Sequence, residues 1–235
     1  MVTAQSGRSE EETRAKRREA RLQERYGLLF GSLVVLFLVQ GIAPGGPWQE
    51  VLITALSATT LVLALRAGEV NGPIVPLAIA AGAILVAAVA ALALMGTANT
   101  GPARIASGLL VAVAPPAIAM GVLRGLRARG HTTVQAVLGV LCLYLTFGMF
   151  CAFAYGTIDN LGSAPVFAND VAATTAHCLY FSFTTLTTVG YGDVLTRSDL
   201  GHTFAVTEAL VGQIYLVTVV ALLVSDLGSR RTHSP

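Results

Sequence analysis

Two apolar runs, residues 134–155 and 202–224, are each long enough to cross a bilayer, and the segment between them cannot be helical throughout. It contains Thr187-Thr188-Val189-Gly190-Tyr191-Gly192-Asp193, preceded by an apolar, Thr-rich stretch, residues 177–185, of the size of a short helix. Irregular backbone at membrane depth is tolerated only where protein buries it or where it lines a watery cavity. Gly190 and Gly192 can take φ > 0, which lets carbonyls that would alternate along a strand be turned toward one side. These constraints leave one arrangement: a span, a short helix entering the membrane from the outside, an ordered return segment, and a second span.

Four further apolar stretches precede this half, at residues 27–43, 51–65, 74–95 and 103–123, the last interrupted by Pro115 and Pro116 and expected to kink there. With 54% hydrophobic and only 12% charged residues, the chain has about half the charged fraction of a soluble domain. The expected fold class is an all-α membrane protein with six transmembrane helices and a re-entrant helix between the fifth and sixth. Loop charges test the count. With the N-terminus inside, thirteen of the 15 basic residues fall on the cytoplasmic side and only Arg104 and Arg197 fall outside. That asymmetry requires an even number of spans and places both termini in the cytoplasm. The expected organisation is a charged tail at 1–26, a four-helix membrane domain at 27–130, a span–helix–span domain at 131–228 and a short tail at 229–235.

The net charge of +2 is too small to suggest nucleic acid as a partner, and Cys142, Cys151 and Cys178 show neither zinc-ligand spacing nor an even, closed framework. No phosphate-cradling loop, metal-ligand cluster or nucleophile triad is evident, so neither catalysis nor a cofactor is expected. The charged region before the first apolar run is longer than a signal-peptide n-region, so that run reads as a retained span. The tail holds seven basic residues beside five glutamates and reads as a topogenic anchor, or else as a contact with anionic lipid.

Residues 131–228 resemble the potassium-channel pore domain over their full length, through Thr188-Val189-Gly190-Tyr191-Gly192 and through Tyr180-Phe181-Ser182-Phe183-Thr184-Thr185-Leu186-Thr187-Thr188, which is similar to the bacterial members. In such filters, rings of backbone carbonyls replace the hydration shell of the permeant K+ ion. The resemblance implies K+ coordination by Thr188, Val189, Gly190 and Tyr191, with the Thr188 hydroxyl innermost and Gly192 and Asp193 at the outer lip. It implies filter support from Thr187, Tyr180 and Phe181. Some relatives carry a carboxylate behind the filter at the position of Thr184, which departs from that pattern. A homotetramer in the plasma membrane follows, since one chain supplies one filter strand. Membrane lipids are the remaining expected partner.

Two residues of the sixth span are gating candidates. The resemblance implies a gating hinge at Gly212, which reads equally as a close-packing contact, and Glu208, an acid inside an apolar span, reads as a functional carboxylate or as a brace to the re-entrant helix. Six spans follow the plan of voltage-gated channels, but the nineteen positions between Arg104 and Arg124 hold no charge, so strong voltage gating is not expected. The acids Asp159, Asp170, Asp193 and Asp199 fall around the return segment, where they act either as a cation-concentrating ring or as solvated loop charges. About ten residues follow the sixth span, too few for a folded regulatory domain.

Overall fold

The structure is a computed structural model and describes residues 24–42, 46–67, 73–95, 134–162 and 164–232. Helix α1 covers Glu24–Ile42, α2 Pro47–Ala67, α3 Ile74–Leu94, α4 Val134–Leu161, α5 Thr175–Leu186 and α6 Asp199–Thr232. The described residues form six helices and no strand longer than one isolated bridge. Four stretches, Glu24–Ile42, Trp48–Ala67, Ile74–Leu94 and Val137–Leu161, are long and apolar enough to cross a membrane. They mark a multi-pass membrane protein. The charged tail up to residue 23 and the expected fourth span at 103–123 lie outside the described residues.

The helices run past the apolar stretches for local reasons. Pro47 opens α2, where its missing N–H costs nothing and its fixed φ suits the first turn. Glu50 in that first turn and Arg66 in the last complement the helix dipole. The α4 helix continues to Leu161 because Thr157 and Asn160 bond back to the carbonyls of Phe153 and Gly156, at 2.9 and 2.6 Å. At 34 residues, α6 is about 50 Å long.

Packing follows the spacing of buried side chains. Along α1, Tyr26, Leu29, Leu33, Leu36 and Gln40 are buried at alternating steps of three and four, one continuous stripe. Gly82 of α3 meets Ala58 of α2 so closely that a Cβ would stand 3.0 Å from the alanine methyl. Small residues allow that approach of two backbones. Helix α1 lies on this chain's own α5: Phe37 and Phe183 meet edge to face at 4.9 Å, and Gly41 faces Leu179. Tyr155, Phe167, Phe181 and Phe204 form an aromatic cluster joining α4, the outer loop, α5 and α6, with centroid separations of 4.9 to 6.3 Å.

Candidate functional site

Helix α5 is short and held at both ends. Thr174 caps its N-terminus, its Oγ1 accepting from the His177 N–H at 3.1 Å. At the other end the Thr187 hydroxyl donates to the Phe183 carbonyl at 2.6 Å, and the Thr188 N–H donates to Thr185. The chain then reverses. The N–H groups of Val189 and Gly190 both return to the carbonyl of Thr184, at 2.9 and 3.1 Å.

Backbone handedness alternates through this return segment. Thr188, Gly190 and Gly192 have φ of +58°, +52° and +78°, while Val189 and Tyr191 between them do not take positive φ. Left- and right-handed residues in alternation gather consecutive N–H groups on one side. Here the N–H groups of Val189 and Gly190 face the C-terminal end of α5. Among the described residues, the carbonyl oxygens of Thr188, Val189, Gly190 and Tyr191 accept no hydrogen bond. A row of unpaired carbonyls can replace the water around a dehydrated cation. The glycines adopt positive φ without penalty, but Thr188 is β-branched and holds a conformation costing on the order of 1–3 kcal/mol. That strain at Thr188 was not anticipated from the residue type.

The outer end is pinned by side chains. The Tyr180 hydroxyl donates to Asp193 Oδ2 at 2.8 Å, Asp193 Oδ1 accepts from the Val194 N–H at 3.1 Å, and the Tyr180 and Tyr191 rings stack at 6.3 Å. Residues 166–168 pair with 195–197 through the Ala168 and Arg197 N–H groups, each 2.8 Å from its acceptor, and a bridge joins Phe167 to Thr196. His202 of α6 reaches the Thr196 carbonyl at 2.8 Å, and Ser198 caps that helix through the Gly201 N–H. Two of the four outer acids are thus engaged, Asp193 as described and Asp159 by accepting from the Val166 N–H at 2.9 Å.

Behind the segment, α4 and α6 both meet α5. Glu208 is buried, its Oε2 accepting from the Tyr155 hydroxyl of α4 at 2.8 Å and its Oε1 from the Ser182 hydroxyl of α5 at 2.5 Å. Ser182 Oγ also lies 2.7 Å from the Gly148 carbonyl, so α4, α5 and α6 share one polar node. Gly212 faces the end of α5, where Leu186 O also accepts from the Tyr144 hydroxyl at 3.2 Å. Tyr144 stacks on Tyr215, whose hydroxyl donates to the Val140 carbonyl at 2.5 Å.

The expected site residues therefore converge on one feature. Thr188 through Asp193 form the return segment, while Tyr180, Phe181, Thr184 and Thr187 lie on or cap the helix behind it, Phe181 within the aromatic cluster and Thr184 through its carbonyl. Glu208 and Gly212 approach that helix from α6. Sequence reading did not single out Tyr144, Gly148, Tyr155 or Ser182. The one signal for Gly148 is a glycine within an apolar helix: a Cβ there would stand 2.8 Å from the Phe183 ring.

Residues 139–228 match the family model described as an ion channel. The match covers α4 from its second turn, α5, the return segment and most of α6, and it supports an ion channel. The chain is also 29% identical over 90 residues to the calcium-activated potassium channel slowpoke of Drosophila melanogaster. That alignment covers 38% of this chain and 8% of the relative. No solved structure matches the chain significantly.

Proposed function

We propose that the protein is a potassium-selective channel, a homotetramer that conducts K+ passively through rings of carbonyls from Thr188, Val189, Gly190 and Tyr191. The observation that carries this reading is the alternation of φ at Thr188, Gly190 and Gly192, which ties the N–H groups of Val189 and Gly190 back to Thr184 and leaves four consecutive carbonyls unpaired. One chain supplies one strand, so four strands are needed to close a ring. The Thr188 hydroxyl is the innermost ligand, and Gly192 and Asp193 form the outer lip. The likeness over 90 residues to a protein described as a potassium channel supports the choice of ion. In this reading α5 is the pore helix, and its C-terminal carbonyls aim a negative dipole end at the cavity below the filter, favouring a cation.

The exposed side chains fit assembly. Val189 and Tyr191 are 53% and 71% exposed in the single chain, and Val206, Leu210, Ile214 and Val217 form an open apolar face along α6. In the tetramer, neighbouring subunits cover the first two, and α6 turns toward the pore or a neighbour. The protein lies in the plasma membrane with both termini in the cytoplasm, and voltage is not its principal stimulus. Reconstitution into liposomes tests the reading: K+ uptake driven by its own gradient supports it. Tetramers that form without flux would instead make the chain a non-conducting regulatory or scaffolding subunit.

A further inference from the structure

A small cavity of about 20 Å³ lies where α1, α4 and the start of α5 meet, lined by Gln40, Ala152, Gly156, Thr175 and Cys178 among others. Gln40 is only 1% exposed, and among the described residues its Nε2 has no hydrogen-bond partner. The rest of this seam is apolar: Phe37 on Phe183, and Gly41 against Leu179. A buried glutamine in an otherwise apolar helix stripe, lining a cavity and without an acceptor for its Nε2 among the described residues, is a feature that packing alone does not account for.

The size and chemistry decide the occupant. One water needs about 10–15 Å³ of accessible space and two to four polar partners, and this cavity supplies the space, the Gln40 amide and the Thr175 side chain. We propose that the cavity is a binding site for a single ordered water, which accepts from Gln40 Nε2, has Thr175 as its second side-chain partner, and joins α1 to the first turn of α5. The bridge gives the first half of the chain a polar link to the helix behind the return segment. It does not depend on which ion, if any, the protein conducts.

Gly156 supplies a selective test. A Cβ there would stand 3.9 Å from Cys178 Sγ, ordinary contact, so Gly156→Ala places a methyl in the cavity without a clash. The full chain, labelled with 15N-glutamine and held in lipid nanodiscs, is examined for magnetisation transfer from water to the Gln40 side-chain amide. The Gln40 signal is assigned by its loss in Gln40→Leu, or by selective labelling if that variant does not fold. Strong transfer from water in the unmodified protein, falling severalfold in Gly156→Ala, is the expected result. Absence of transfer, transfer from lipid acyl protons in place of water, or equal transfer in Gly156→Ala would each overturn the proposal.

Discussion

A Cβ built on Gly212 would stand 2.5 Å from the carbonyl oxygen of Leu186 and 2.6 Å from its Cδ1. That carbonyl ends the helix immediately before the return segment and already accepts the Tyr144 hydroxyl from α4. Helix α6 therefore seats against α5 through bare backbone, and any side chain at position 212 must displace either the carbonyl or α6 itself.

Gly212→Ala is expected to destabilise the protein by about 1–3 kcal/mol, the range for overpacking a tight contact. Thermal unfolding of the purified protein checks this. Because the displaced carbonyl lies two residues before Thr188, ion flux should fall with stability. An unchanged melting temperature combined with altered open probability would contradict the packing account and make Gly212 a hinge.

Glu208 offers a second test, since its two oxygens receive hydroxyls from two different helices. Glu208→Gln retains an acceptor for Tyr155 and a polar group for Ser182, and it should stay near the stability of the unmodified protein. Glu208→Leu leaves the Tyr155 hydroxyl buried without its partner, while Ser182 keeps the Gly148 carbonyl, and should lose about 1–3 kcal/mol for the one group left unsatisfied. Tyr155→Phe removes one of the two bonds and should fall between. Equal stability of the Gln and Leu variants, measured by chemical or thermal unfolding, would rule out the brace.

These two residues also mark how far the sequence could be read. The apolar runs that fall on described residues were legible as helices because length and hydropathy are local properties, and positive φ at Gly190 and Gly192 was legible because glycine alone adopts it freely. Glu208 stood out as an acid in an apolar span, but nothing in its spacing named Tyr155 or Ser182. Those residues lie 53 and 26 positions away and meet it only through the packing of three helices. Thr188 was expected as a ligand but not as a strained residue, since β-branching argues against φ > 0 and only the surrounding hydrogen bonds impose it.

Tyr180→Phe removes the bond to Asp193 while keeping the ring stacked on Tyr191. Because the pair is exposed, the loss in stability should be small. The outer lip loses one of its fixings, so flux through the return segment should become less sustained. Sustained ion flux indistinguishable from the unmodified protein would show that Asp193 is held adequately by the Val194 N–H alone.

Voltage dependence should be weak. Positions 105–123 hold no charge, and steep gating takes about three to four charges per subunit crossing the field. The gating charge from the limiting slope of open probability against voltage checks this. A value above about eight elementary charges per tetramer would contradict the expectation, because the fourth apolar stretch has no evident residues to supply them.

The most direct test of the central claim is the reversal potential of the purified protein in planar bilayers with K+ on one side and Na+ on the other, measured alongside Gly190→Ala. The account predicts a reversal potential close to the K+ equilibrium value, and no current in Gly190→Ala, whose added Cβ opposes the φ of +52° that frees the carbonyls. A reversal potential near zero in the unmodified protein, meaning equal permeability to Na+ and K+, would contradict it.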